Sequence, residues 1–225
     1  LKSFPNTPEQ LRAILERIIS VDTGNEFITF EITSVLPISV AKKYAGISAS
    51  LVAHIKNTRT PFSIDFGVGD VIVPKQEKRK IPTQLNDFSS PMINTYSLET
   101  TIAEKIDAIL SLMEFSSRMK DYYDIYYLAN KFDFDGKILV DALKRTFANR
   151  EHNFTVEQFE QVMSFDADDL MQRKWKAFIK KIDAKTDDFS KVINTIDHFL
   201  RFPIETALNG TNFLMQWKAS SNIWE

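Results

Sequence analysis

The chain has 225 residues, 44% of them hydrophobic and 26% charged, and a net charge of −2. That balance suits a globular protein with one large core or two modest ones, and it argues against a strongly basic nucleic-acid binder while leaving local basic patches open. With no cysteine, disulfides, thiol catalysis and cysteine-ligated zinc are excluded, and His54, His152 and His198 lie far apart without metal-ligand spacing.

Thr7, Pro8 and Gln10 form a helix-start signal, with Thr7 as cap and Gln10 completing a capping box. Leu11, Ile14, Leu15 and Ile18 follow at helical spacing, which predicts a helix over 7–20. After Gly24 the period falls to two, predicting a strand over 27–34, and a second strand is expected over 48–55. A third covers 62–68, where Phe62, Ile64, Phe66 and Val68 share one face and Ser63, Asp65 and Gly67 the other. Residues 71–73 extend it, and 74–91 read as a polar, proline-punctuated loop. From Ser97 onward the pattern is helical, with helices expected over 98–114, 120–131, 136–148, 156–163, 167–182 and 189–200. Thr155 and Gln158 make another capping box, and Pro203 and Gly210 interrupt the pattern before an aromatic tail. Strands first and helices second predict an α+β fold, divided into a sheet region over 1–95 and a helical region over 96–225. No apolar run approaches the roughly 18 residues that cross a membrane and no signal peptide is visible, so a cytoplasmic protein without a membrane partner is expected.

Three residues invite chemistry. Lys105 lies about 90° from the centre of the Ile102, Ile106, Ile109, Leu110 and Met113 stripe, so it either snorkels at the surface or presents its ammonium to a cleft. Asp121 is aligned with Ile125 and Leu128, and an acid on an apolar line needs a partner or a wet cleft. Arg118, Lys120 and Asp124 stand beside it, so on pattern alone helix-start electrostatics with a Lys120–Asp124 pair is the favoured reading over a site. Asp65, on the small-residue face of its strand, is either a solvent-facing acid or a carboxylate able to hold Mg²⁺ beside a phosphate. Basic clusters at Lys75, Lys78, Arg79 and Lys80 and at Arg173, Lys174, Lys176, Lys180 and Lys181 read as solvated faces or as contacts to a nucleic-acid backbone. Walker, dinucleotide, nucleophile-elbow and kinase signatures do not occur.

Three runs together resemble the AbiEii/AbiGii toxin family of nucleotidyltransferase-like proteins. Ile64-Asp65-Phe66-Gly67-Val68-Gly69-Asp70 is similar to its second block. Tyr96-Ser97-Leu98-Glu99-Thr100-Thr101-Ile102-Ala103-Glu104-Lys105-Ile106 is similar to the third, and Ser117-Arg118-Met119-Lys120-Asp121-Tyr122-Tyr123-Asp124-Ile125 to the fourth, the R-x-K-D-x-x-D block. The resemblance implies a nucleotidyltransferase-like mixed sheet, with its N-terminal strands incomplete here, followed by a helical half. It also implies Mg²⁺-dependent transfer of a nucleotide from an NTP to an RNA acceptor, with tRNA among the candidates, by a toxin opposed by a cognate antitoxin. In those terms Lys105 engages NTP phosphates, Asp121 orients or deprotonates the acceptor hydroxyl, and Asp65 holds metal. Arg118, Lys120 and Asp124 complete the substrate-binding set.

The family's first block, a glycine turn followed by an Asp-x-Asp strand, has no counterpart between Leu1 and Asp65. Since the chain begins at Leu1 rather than at methionine, the expectation is a preceding segment that supplies the principal metal ligands; a degenerate member that binds nucleotide or a partner without catalysis is the alternative.

Overall fold

Thr7 opens the first helix of the computed structural model, which describes residues 7–22, 24, 27–38, 46–67, 69–183 and 185–225. The chain forms two compact units, Leu1–Asp70 and Val71–Glu225. In the first, α1 (Pro8–Ile19) is capped by the Thr7 hydroxyl, which accepts from the Gln10 N–H. The Gln10 side chain accepts the Thr7 hydroxyl proton instead of the backbone N–H, so the expected box is only half formed. Leu11 and Leu15 are buried and Ile19 packs beside them, whereas Ile18, expected in that stripe, is 58% exposed. The inward line runs through 11, 15 and 19, one turn apart.

Strands β1 (Ile28–Pro37), β2 (Ile47–Ile55) and β3 (Thr58–Phe66) pair antiparallel in the order β1-β2-β3. The mixed sheet expected of a nucleotidyltransferase core is represented, among the described residues, by this meander. Ile47, Ala49 and Leu51 carry its core face, with Val35 from β1 and the two leucines of α1. The ladder sets Phe62 opposite Leu51 and Ile64 opposite Ala49, hence on that same face. Phe62 and Ile64, on one face as expected, are nevertheless 36% and 37% exposed. They sit on an edge strand, while α1 packs against β1 at the far side of the meander. Val68 lies outside the described residues.

The second unit begins with a hairpin of β4 (Glu77–Lys80), which falls within the stretch expected to be loop, and β5 (Met92–Thr95), which follows directly after that stretch. Helices follow: α2 (Leu98–Leu112), α3 (Met119–Lys131), α4 (Gly136–Asn149), α5 (Val156–Met163), α6 (Asp169–Ile182) and α7 (Phe189–Asn209). Their common core includes Ile102, Ile106 and Ile109 from α2, Tyr122 and Ile125 from α3, and Phe189, Ile196 and Phe199 from α7. Each such side chain contributes roughly 1.5–3 kcal/mol by leaving water. The α+β arrangement with a helical C-terminal half is as expected, and both bonds of the Thr155–Gln158 capping box are present.

Helix α7 differs most from expectation. It does not end before Pro203 but runs through it to Asn209, and Gly210 in the left-handed region terminates it. A proline at 203 has no N–H for the carbonyl of Phe199, four residues back. The Trp224 indole N–H supplies the missing donor at 3.0 Å, its ring stacked 4° from the plane of Phe199. Trp224 reaches that carbonyl from a small sheet of β6 (Phe134–Asp135), β7 (Gln216–Lys218) and β8 (Ile223–Trp224). Trp217 in its middle is fully buried and donates to the Ala129 carbonyl at 2.7 Å.

Candidate active site

Helix α2 is placed by the polar residues at its start. Ser97 caps it by accepting from the Thr100 N–H, and its hydroxyl donates to the Val73 carbonyl. Thr100 donates to the same carbonyl at 3.0 Å and accepts from the Val73 N–H at 2.8 Å. Both side chains are fully buried, so the Ser-x-x-Thr pair clamps the bend at Val73 onto the first turn of the helix. Two turns later Lys105 leaves the helix toward α3.

There the ammonium of Lys105 lies 3.1 Å from Asp121 Oδ1 and 2.5 Å from Asp124 Oδ2. Asp121 Oδ2 accepts from Arg118 Nε at 2.5 Å, and Asp124 Oδ2 is 2.5 Å from Lys120 Nζ. The Asp121 side chain is only 4% exposed and that of Lys105 18%, whereas Arg118 and Lys120 are 56% and 70% exposed. Three cations thus surround two carboxylates, with the acids inside and two of the cations facing water. The structure brings Lys105, Arg118, Lys120, Asp121 and Asp124 into one network. Burial of an acid on the apolar side of α3 is tolerated because each of its oxygens meets a cation. The turn before α3 is tied down as well, since Lys174 from α6 donates to the Glu114 and Ser116 carbonyls, each at 2.9 Å. That lysine, read from sequence as part of a solvated or nucleic-acid-facing run, has a positioning task instead.

A second network occupies another side of α2. Asp107, fully buried, accepts from Arg150 Nη1 at 3.0 Å and lies 2.8 Å from His152 Nδ1. Arg150 also pairs with Glu104, and Ser111 Oγ lies 3.3 Å from the same histidine nitrogen. Burial pushes the Asp107 carboxyl above its ordinary range, and the bond and charge of His152 only partly offset this. Because Asp107 and Ser111 share one ring nitrogen, the group lacks the relay geometry of a Ser-His-Asp triad, which needs both nitrogens.

Asp65 lies in the first unit, on exposed β3 opposite Ser48, with the Ser63–Ser50 pair next along the same face. Among the described residues its carboxylate has no ion-pair partner, and no three His, Asp or Glu side chains come together as a metal-binding set. One carboxylate among small polar neighbours is compatible with an Mg²⁺ that arrives on phosphates, which takes one or two protein carboxylates and fills its shell with phosphate oxygens and water.

A family model described as nucleotidyl transferase AbiEii toxin, type IV TA system, matches residues 1–201. The chain belongs to this AbiEii family. Membership makes it a relative of nucleotidyltransferase toxins that act within toxin–antitoxin systems, and it implies an antitoxin partner. No curated protein and no solved structure matches the chain. The AbiEii match ends before the β7–β8 hairpin, so the tryptophan that completes α7 lies beyond the matched residues. Among the described residues no helix is long and apolar enough to cross a membrane.

Sequence reasoning did not find Ser97 and Thr100 as a clamp, nor the Asp107 network. The first had a visible signal, a serine three residues before a threonine at a helix start. The second joins residues 43 and 45 positions apart, which periodicity cannot reach.

Proposed function

We propose that this AbiEii chain is an Mg²⁺-dependent, cytoplasmic nucleotidyltransferase that moves a nucleotide from an NTP to an RNA acceptor, tRNA among the candidates, as the toxin of a pair held in check by its antitoxin. The observation that carries this reading is the ion-pair cluster of Lys105, Arg118, Lys120, Asp121 and Asp124, built from the two most distinctive family blocks. Asp121 is held in one orientation by two cations, as suits a group that aligns an acceptor hydroxyl and takes its proton while the oxygen bonds to phosphorus and pyrophosphate leaves. Lys105 has three donors and two are engaged by carboxylates, so one remains for a phosphate oxygen. Arg118 and Lys120, facing outward, are the readier phosphate contacts. Asp65 is the carboxylate assigned to Mg²⁺, which when bound would supply charge neutralisation on the phosphates.

Incubation with labelled NTPs and RNA tests the proposal. Transfer that disappears in Lys105→Ala and in Asp121→Asn, and on addition of a chelator, is the expected result. Absence of transfer, or transfer indifferent to both substitutions, would overturn it. The alternative, a module that binds a nucleotide or partner without chemistry, draws on the engagement of Lys105 by two acids and on the lack of a metal set among the described residues. Calorimetry showing NTP binding by a chain that never turns over would favour it.

A further inference from the structure

Tyr123 and Tyr127 stand one turn apart on α3, with ring planes 18° apart and centroids at 6.4 Å. Tyr123 is backed by Trp175 and Phe178 of α6, at 6.5 and 6.0 Å, which fixes the direction of its ring. Tyr127 is 43% exposed. With Tyr126, Lys185, Thr186 and Asp187 these two rings line a groove of about 510 Å³. The exposed Tyr127 ring leaves this stack open to water.

Its charges point to one class of ligand. Lys131 donates to the Tyr127 hydroxyl at 2.7 Å and lies 5.1 Å from that ring's centroid, at the open end of the stack. Lys120, Asp124, Tyr127 and Lys131 follow one another along one face of α3 at intervals of four, three and four residues. The acid in that row is already paired with Lys105 and Lys120, and Asp187 in the groove is paired with Lys191 at 3.0 Å and bonded by the Tyr126 hydroxyl. The stripe therefore shows an approaching ligand flat aromatic faces flanked by ammonium groups. Sequence-tolerant binding of a single strand combines these two components: bases stack on the rings and phosphates follow the cations. From Lys120 to Lys131 the helix rises about 16 Å, longer than one nucleotide, which favours a strand over a mononucleotide.

We propose that the Tyr123–Tyr127 groove is a stacking platform for single-stranded RNA, leading the strand along α3 to the Lys105–Asp121 cluster. Only the identification of that strand as the acceptor rests on the transferase reading; the binding itself does not. Fluorescence anisotropy with a labelled, unstructured RNA oligonucleotide, in the absence of NTP, measures it directly. Tyr127→Ala should weaken binding roughly tenfold, the usual loss of one stacked base, while Tyr127→Phe, which keeps the ring, should stay within about twofold of the parent protein. Lys131→Gln should weaken binding and flatten the logarithmic salt dependence by about 0.7. Tyr127 is exposed, so these variants leave the core alone, and circular dichroism checks that they fold. Equal binding by the parent and Tyr127→Ala proteins, or no RNA binding by the parent protein, would overturn the platform, as would NTPs competing fully with the oligonucleotide, which would make the groove a mononucleotide pocket. Retained RNA binding by a Lys105→Ala protein that has lost transfer would separate the platform from the chemistry. An active transferase with no Tyr127 effect would sink the platform and leave the transferase reading standing.

Discussion

Replacing Lys105 by methionine keeps most of the side chain's apolar stem and removes its charge from between two acids. Breaking a buried ion pair from one side costs about 3–5 kcal/mol, because the remaining charge stays buried without compensation. Here each carboxylate retains a second cation, Arg118 for Asp121 and Lys120 for Asp124, and the Lys105 side chain is 18% exposed. Both features place the cost at the lower end, about 3 kcal/mol. For a unit of this size that amounts to a fall in Tm of about 6–12 °C. Trp175, Trp217 and Trp224 all lie in the second unit, so tryptophan fluorescence during urea or thermal unfolding reports that unit alone. Lys120→Met is the control, since its side chain is 70% exposed and its loss should cost less than about 1 kcal/mol. Equal stabilities for Lys105→Met and Lys120→Met would refute the claim that the α2–α3 cluster is held by its half-buried lysine.

Three further outcomes are expected. Burial, the hydrogen bond to Asp187 and the charge of that acid raise the Tyr126 phenol from 10.0 to about 12. A phenol raised in the folded state gives stability that is complete below pH 10 and is lost as pH rises through about 12; Tyr126→Phe should remove that component, and a 295 nm titration should lose its matching late step. Trp224→Phe keeps most of the stacking on Phe199 but orphans its carbonyl, at a cost of about 1–3 kcal/mol in urea unfolding, and Pro203→Ala in that background should return part of it by restoring a backbone donor. A Cβ on Gly136 would lie 2.4 Å from the Phe213 ring and 2.6 Å from the Met215 carbonyl, so Gly136→Ala should destabilise by more than about 2 kcal/mol, with unchanged Tm as the contrary result.

Features written in local chemistry were legible from the chain. The Thr155–Gln158 cap, the apolar stripe of α2 and the placing of Lys105 at its border all follow from residues within about three turns of one another. The R-x-K-D-x-x-D run likewise put Arg118 and Asp121 three residues apart and Lys120 and Asp124 four apart, spacings at which helical side chains meet. What sequence could not give was the partner across the gap: periodicity left Lys105 at an open border, and only the packing of α3 closed it with two acids. The β6–β7–β8 sheet escaped notice because strands of two or three residues have no period to detect. Pro203 misled for a related reason. A proline predicts a break from its own lost bond, and the donor that compensates lies in Trp224, on another element.

Helix α2 carries the two ion-pair networks on residues that adjoin in sequence, Glu104 and Lys105. The first looks to Arg150 and the second to Asp121, so neither can shift without straining the other. A random screen for harmless variants of this toxin would therefore return changes at Arg150 and Asp107 alongside those in the cluster. Such hits would trace the mounting of the lysine rather than the role proposed for it, and a map of intolerant positions would draw the proposed site too wide.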